Sequence, residues 1–156
     1  MKRGELESLL RAACPDATEA EDQCWKLTVS GVPMMCFSNE SKDRMRLIAS
    51  VAFLADVADD RLPQLLRANF NGDACYAIHE DLLCAVFLHS LSGLTETDLL
   101  SGLRQVAERV QSFGTSYSSG TMRFQWPRPM PDAPGGVRRR TVEAVQRSLR
   151  RPDHEE

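Results

Sequence analysis

The 156-residue sequence predicts an α+β fold with a mainly antiparallel, twisted sheet in the order α-β-β-β-α-β-β-α. Three observations predict it. Segments of apolar/polar alternation come in a group of three and then a pair, and segregated strands of this kind favour antiparallel sheets over β-α-β crossovers. Three other segments carry apolar residues at helical spacing. Apolar residues make up 42% of the chain, enough for a core in a domain of this size.

In chain order, Leu6, Leu9, Leu10 and Ala13 form one helical stripe, which Pro15 and the acidic residues 16–22 end. Trp25, Leu27 and Val29 alternate with Lys26, Thr28 and Ser30, the period of a half-buried strand. A turn signal at Gly31-Val32-Pro33 leads to a second apolar run, Met34 to Phe37. Residues 38–43 (SNESKD) read as a turn, and residues 44–54 as a long third strand, with a helix as the competing reading. Asp59 or Asp60 is placed to cap the next helix, with Pro63 in its first turn and Leu62, Leu65, Leu66 and Phe70 on its buried side. Asn71-Gly72 stops it. Residues 75–79 and 82–89 form a hairpin around Glu80-Asp81.

Thr95-x-x-Asp98 has the pattern of a capping box. Leu99, Leu100, Leu103, Val106, Ala107, Val110 and Phe113 follow as a helical face, ended by Gly114. Gly102 inside this helix costs about 1 kcal/mol relative to Ala, which suggests close packing against a strand or a partner. Residues 122–126 read as one more strand. The proline-rich stretch after Trp126 cannot continue regular structure. The chain therefore divides into a domain of residues 1–126 and a Pro/Gly linker with an Arg-rich tail, 127–156.

Charge is unevenly spread. The net charge is −3, yet residues 1–120 carry 11 Lys/Arg against 17 Asp/Glu, and residues 121–156 carry 8 Arg against 5 Asp/Glu. An acidic body is joined to a basic tail. The five cysteines are odd in number and include no C-x-x-C pair, which argues against a disulfide framework or a zinc site. No apolar leader follows the first residues, and no apolar stretch is long enough to span a bilayer. A cytoplasmic setting fits both observations.

No pattern points to catalysis, a metal or a cofactor. His79 and His89, ten residues apart, lie in the expected hairpin and could meet across it, but neither has a ligand-type residue at metal spacing; surface or structural roles explain them better. Asp59-Asp60 and Glu80-Asp81 suit caps and turns better than acid/base work. Residues 114–120 (GTSYSSG) follow a helix, whereas a phosphate loop follows a strand and precedes a helix.

Two binding surfaces are left. In a strand-like run, Met34, Met35 and Phe37 cannot all face one way; either both faces are buried, or an adaptable apolar surface is exposed. Arg138, Arg139, Arg140, Arg147, Arg150 and Arg151 could contact phosphates of nucleic acid or an anionic surface, although base-stacking aromatics are absent. A solvated tail, or one docked on the acidic body, is the other reading.

Residues 4–113 resemble the CesT-like (Tir chaperone) family of type III secretion chaperones and the related YbjN-like proteins. The resemblance lies in the leading helix LESLLRAA, the strands WKLTVSGVPMMCF, the passage LPQLLRANFNGDACYAI, the strand LLCAVFLHSL and the helix LTETDLLSGLRQVAERVQSF. It implies a cytosolic, non-enzymatic homodimer that holds an extended segment of a secreted protein client, without a cofactor. Leu6, Leu9 and Leu10 with Met34, Met35 and Phe37 would line the client groove. Leu62, Leu65, Leu66 and Phe70 would contribute to the dimer surface. The longer, basic tail departs from the family pattern and leaves room for a regulatory role without a secretion client.

Overall fold

The computed structural model describes residues 1–113 and the backbone of two short paired strands, Tyr117–Ser118 and Arg123–Phe124. Helix α1 (Arg3–Ala13) leads into β1 (Thr18–Glu21), β2 (Cys24–Val29), β3 (Val32–Asn39) and β4 (Arg44–Phe53). Two single 3-10 turns, Leu54–Asp56 and Asp59–Arg61, deliver the chain to α2 (Leu62–Ala68). Strands β5 (Cys75–His79) and β6 (Leu82–Ser90) and helix α3 (Glu96–Ser112) complete the unit. Six strands form one sheet in the order β1-β2-β3-β4-β6-β5, antiparallel at every step.

The expected α+β class holds, with one strand more than the sequence pattern shows. All four residues of β1 are exposed, so no apolar alternation marks it. Backbone pairing with β2 alone defines it, interrupted by an irregularity between Glu19 and Glu21. Its two carboxylates and the kink protect a sheet edge against stray pairing.

The turns follow local chemistry. Ser30 and Gly31 both have positive φ, as a two-residue hairpin turn demands, so β3 already begins at Val32. Pro33 lies beyond the β3–β4 ladder, which starts at Met35, and its missing N–H costs no ladder bond there. Ser38 and Asn39 extend β3 instead of turning. Glu80, at φ 53°, closes the β5–β6 hairpin where expected. At α2, no side-chain oxygen caps the start; Arg61, at the end of a 3-10 turn, occupies the cap position that Asp59 or Asp60 was expected to fill.

The core has two sides. On one, Leu6 and Leu10 of α1 and Leu99, Leu103, Val106 and Ala107 of α3 pack on Trp25, Leu27, Met34, Cys36, Leu47 and Phe87 of the sheet. On the other, Cys24, Met35, Ile48, Leu82 and Cys84 form a second buried cluster with Phe37, Phe53 and Val86 packed against it, drawn from strands alone among the described residues. This resolves the Met34–Met35 alternative. The two side chains point to opposite faces, and both are buried. A third cluster, Val57, Leu65, Ala68, Tyr76, Leu83 and Phe113, seats α2 against β5 and the end of α3. Ala13, placed on the apolar stripe of α1 by its spacing, is exposed, and the next residue, Cys14, takes the buried position.

Candidate functional site: an apolar groove and an exposed apolar edge

The residues expected to line a client groove separate in space. Leu6 and Leu10 are fully buried under α1, and Met34 and Met35 are 2% exposed on opposite sides of the sheet. None of these four offers a surface to a partner. Phe37 is half-buried at the margin of the strand-only cluster. Leu9 lines an open groove.

That groove lies between the first half of α1 and the start of α3. Met1, Gly4, Glu5, Ser8, Leu9, Leu94, Thr95 and Glu96 surround about 600 Å³. It is a shallow depression open to solvent, not an enclosed cleft. Leu94 is the buried floor, and Met1 and Leu9 form half-buried walls. The start of α3 is fixed by the capping box foreseen from Thr95-x-x-Asp98: the Asp98 N–H donates to Thr95 Oγ1 at 3.2 Å, and Asp98 Oδ2 accepts from the Thr95 N–H at 3.1 Å. Gly4 leaves its wall open, since nothing lies within 4 Å of where its Cβ would stand. The Met1 ammonium donates to the carbonyl oxygens of Leu91 (2.9 Å) and Ser92 (3.2 Å), drawing the chain start over the loop before α3.

The loop is itself clamped by Asp43. Its carboxylate accepts from the Ser92 N–H at 2.6 Å and from Ser92 Oγ at 2.7 Å. These two bonds hold the Asp43 carboxyl below the ordinary range. In sequence the groove is invisible, because its walls come from residues 1–9 and 94–96; only the amphipathic start of α1 hinted at it.

The second feature is an apolar edge. Leu66 is 71% exposed, Phe70 90% and Ile78 51%. The first two were expected on the buried side of α2 with Leu62 and Leu65. The structure buries Leu65 and Ala68 and turns Leu66 and Phe70 outward. Asn69 ties this end of α2 to β5, the last strand of the sheet. Three large apolar side chains so exposed are an interaction-type surface.

No described arrangement suits nucleophilic or metal chemistry. Among the described residues no group of three His, Cys, Asp or Glu side chains could hold a metal ion. His79 pairs with Leu82, whereas His89 lies seven residues further along β6, about 24 Å of strand away, so the two do not meet. Burial pushes the Cys36 thiol far up, with smaller contributions from Cys24 and Cys14, and raises Cys84 to about 11. Both are poor nucleophiles. No described helix is long and apolar enough to cross a membrane. The domain boundary at residue 126, the strand expected at 122–126 and the arginines from Arg138 to Arg151 lie outside the described residues, apart from the backbone of Arg123–Phe124.

No protein-family model matches the chain, and no curated protein matches it in sequence. Solved structures do match its fold. The ExsC–ExsE complex matches at TM-score 0.58 and 14% identity, over 72% of this chain and 94% of the other. The HopA1–SchA chaperone–effector complex matches at TM-score 0.56 and 13% identity, over 72% and 96%. The Yersinia pestis type III secretion chaperone SycH, in complex with a stable fragment of YscM2, matches at TM-score 0.51 and 15% identity, over 67% and 96%. Structural matches of this kind, spanning nearly the whole of each neighbour, show that the chain carries the fold of type III secretion chaperones.

Proposed function

We propose that this chain is a non-enzymatic, chaperone-like module that holds an extended segment of a partner protein, and that it works as a homodimer. The observation that carries the reading is the shared fold: each of the three neighbours was solved as a complex with a protein, one of them described as a chaperone with its effector. The open groove beside α1 and the exposed apolar edge at α2 support it, because a holding function needs apolar surface and no reaction centre.

Leu9 with Met1 and Leu94 is the groove assigned to the client, and Leu66, Phe70 and Ile78 the surface assigned to the second copy. The test begins with co-purification from the native host and mass spectrometry to identify the client. Calorimetric titration with the client's bound segment follows. Leu9→Glu should weaken that binding at least tenfold while the oligomeric state is unchanged. Equal affinity for wild type and Leu9→Glu would reject the groove as the client site.

A further inference from the structure

We infer that β6 carries a second docking edge, at Leu88, which takes an extended, basic segment of a partner protein as a short added strand. Strand β6 outruns its outer neighbour. On one side it pairs with β4 from Leu82 to Ser90, and on the other with β5 only from Leu82 to Val86. Residues 87–90 therefore form an edge of their own, beyond the start of β5.

The backbone of that edge is unmatched. The two-residue turn Glu80-Asp81 makes His79 and Leu82 the first hydrogen-bonded pair of the hairpin. Alternation then points the N–H and C=O of Leu82, Cys84, Val86 and Leu88 toward the β5 side. Cys75 stands opposite Val86, but among the described residues no strand stands opposite Leu88. In a continued ladder Asp73 would take that place. Helix α3 prevents it: Gln105 Oε1 accepts from the N–H of Asp73 at 2.8 Å and of Ala74 at 3.1 Å. Leu88 itself is 48% exposed, a large apolar side chain beside open backbone. Such an edge is a template for an added strand.

The surroundings set the chemistry of the occupant. A groove of about 280 Å³ runs along the α3 side of the edge, lined by Asp73, Phe87, Leu88, His89, Asp98 and Ser101. Asp98 Oδ2 is engaged by Thr95, and Asp73 Oδ2 by Gln105 at 3.3 Å; Oδ1 of each has no hydrogen bond among the described residues. His89 Nδ1 lies 2.8 Å from the Ser90 carbonyl oxygen. Nearby cations do not cancel the two carboxylates. Arg104 is paired with Glu108. Arg44 and Arg46 stand opposite Ser90 and Leu88, so alternation puts them on the other face of the sheet from Phe87 and His89. The start of α3 offsets about half a charge. The Met1 ammonium and Lys2 stand further on, by the loop 91–92, with Asp43, Glu5 and Glu96 around them.

A pattern follows. The residue opposite Leu88 points the same way as Leu88, beside apolar surface, and its two neighbours point toward Asp73 and Asp98. The edge therefore selects an apolar residue flanked by lysine or arginine. The first turn of α3 separates it from the α1 groove, with Thr95 and Glu96 lining one and Asp98 the other. On the reading given above, on which the extended form of the partner rests, both contacts belong to one client segment.

NMR of the full-length protein tests the edge with two probes, a short peptide alternating lysine and valine and its counterpart alternating glutamate and valine. At millimolar concentration the lysine peptide should slow amide exchange at Leu88 severalfold and shift the signals of Asp73, Asp98 and Ser101. The glutamate peptide should do neither. Asp73→Asn should weaken the effect severalfold. Leu88→Pro removes an outward N–H and no bond to β4, so it should abolish the effect while β4 stays protected. Leu9→Glu should leave it intact, which separates this edge from the α1 groove. Equal action of both peptides, or no protection at Leu88 with either, would overturn the proposal. So would a lysine peptide that shifts α1 and residues 94–96 but not Leu88, an outcome that leaves the α1 groove standing as the client site. Protection at Leu88 that grows with protein concentration in the absence of peptide would assign the edge to a second copy instead.

Discussion

Asn69 binds the backbone of Tyr76 from both ends of its carboxamide: Nδ2 donates to the Tyr76 carbonyl at 3.0 Å, and Oδ1 accepts from the Tyr76 N–H at 2.6 Å. Tyr76 lies on β5, the last strand of the sheet, and its side chain is fixed by a hydroxyl bond to the Arg109 carbonyl at 2.7 Å. The Asn69 amide thus does for one residue what a neighbouring strand would do. It closes the edge at the point where α2 returns to the sheet. Replacing Asn69 by Ala leaves a peptide group of a buried residue without these partners, which should cost about 1–3 kcal/mol in urea unfolding. Asn69→Asp keeps the acceptor and loses the donor, so it should lie between the two. Size-exclusion chromatography should show more self-association for the Ala variant, because the edge is reopened.

Gly102 is the other position where a single group decides the packing. A Cβ there would stand 2.7 Å from the ring of Phe87, which is itself buried and stacked on His89. Helix propensity favours Ala by about 1 kcal/mol. Overpacking a buried ring costs about 1–3 kcal/mol and should win. Gly102→Ala is therefore expected to lower the unfolding midpoint, and Phe87→Leu in the same chain should recover part of the loss. A midpoint that rises in the single variant would show that the ring yields freely.

Acid sensitivity should trace to the loop behind the groove. Asp43 is held below its ordinary range by the Ser92 hydroxyl and N–H, and Asp98 by the Thr95 hydroxyl and N–H. A carboxylate whose folded pKa is depressed contributes stability that is present above its unfolded value, near 4, and is lost as pH falls through the folded value. Stability should therefore be level at neutral pH and decline below about pH 4. Asp43→Asn should flatten that decline and lower stability at neutral pH, as read from urea midpoints at pH 3, 4 and 7. A decline identical to wild type would remove Asp43 from the account.

The class of fold was legible because its cause is periodic: Trp25-x-Leu27-x-Val29 and the stripe from Leu99 to Phe113 each state a buried face, although Leu100, placed on that stripe, is exposed. β1 was not legible, because Thr18–Glu21 buries no side chain; backbone pairing with β2 and the Arg3–Glu19 ion pair hold it. At Met34–Met35 apolar character was plain, but burial on both faces is a tertiary fact that a two-residue apolar run does not state. In α2, Leu62, Leu65, Leu66 and Phe70 all read as one face. With only seven residues in the helix, the tie from Asn69 to Tyr76 sets the rotation, and it leaves Leu66 and Phe70 outside. The groove escaped for a further reason: its walls are about ninety residues apart in the chain, and no motif joins them.

Leu66 and Phe70 give the sharpest test of assembly. Exposed at 71% and 90%, they contribute little to the folded chain, and surface substitutions away from special features usually change stability by about 0.5 kcal/mol or less. Leu66→Glu and Phe70→Glu should thus leave the urea midpoint nearly unchanged. If the edge joins two copies, each charge would enter a desolvated apolar contact without a partner, and a loss of several kcal/mol in association is expected. Light scattering should then report half the wild-type mass for both variants at concentrations where wild type is a dimer. Ile78→Glu, on the neighbouring strand, should act in the same direction. Leu9→Glu, in the groove, should leave the mass unaltered. A wild-type protein that is monomeric throughout, or charged variants that remain dimeric, would rule out this edge as the dimer surface.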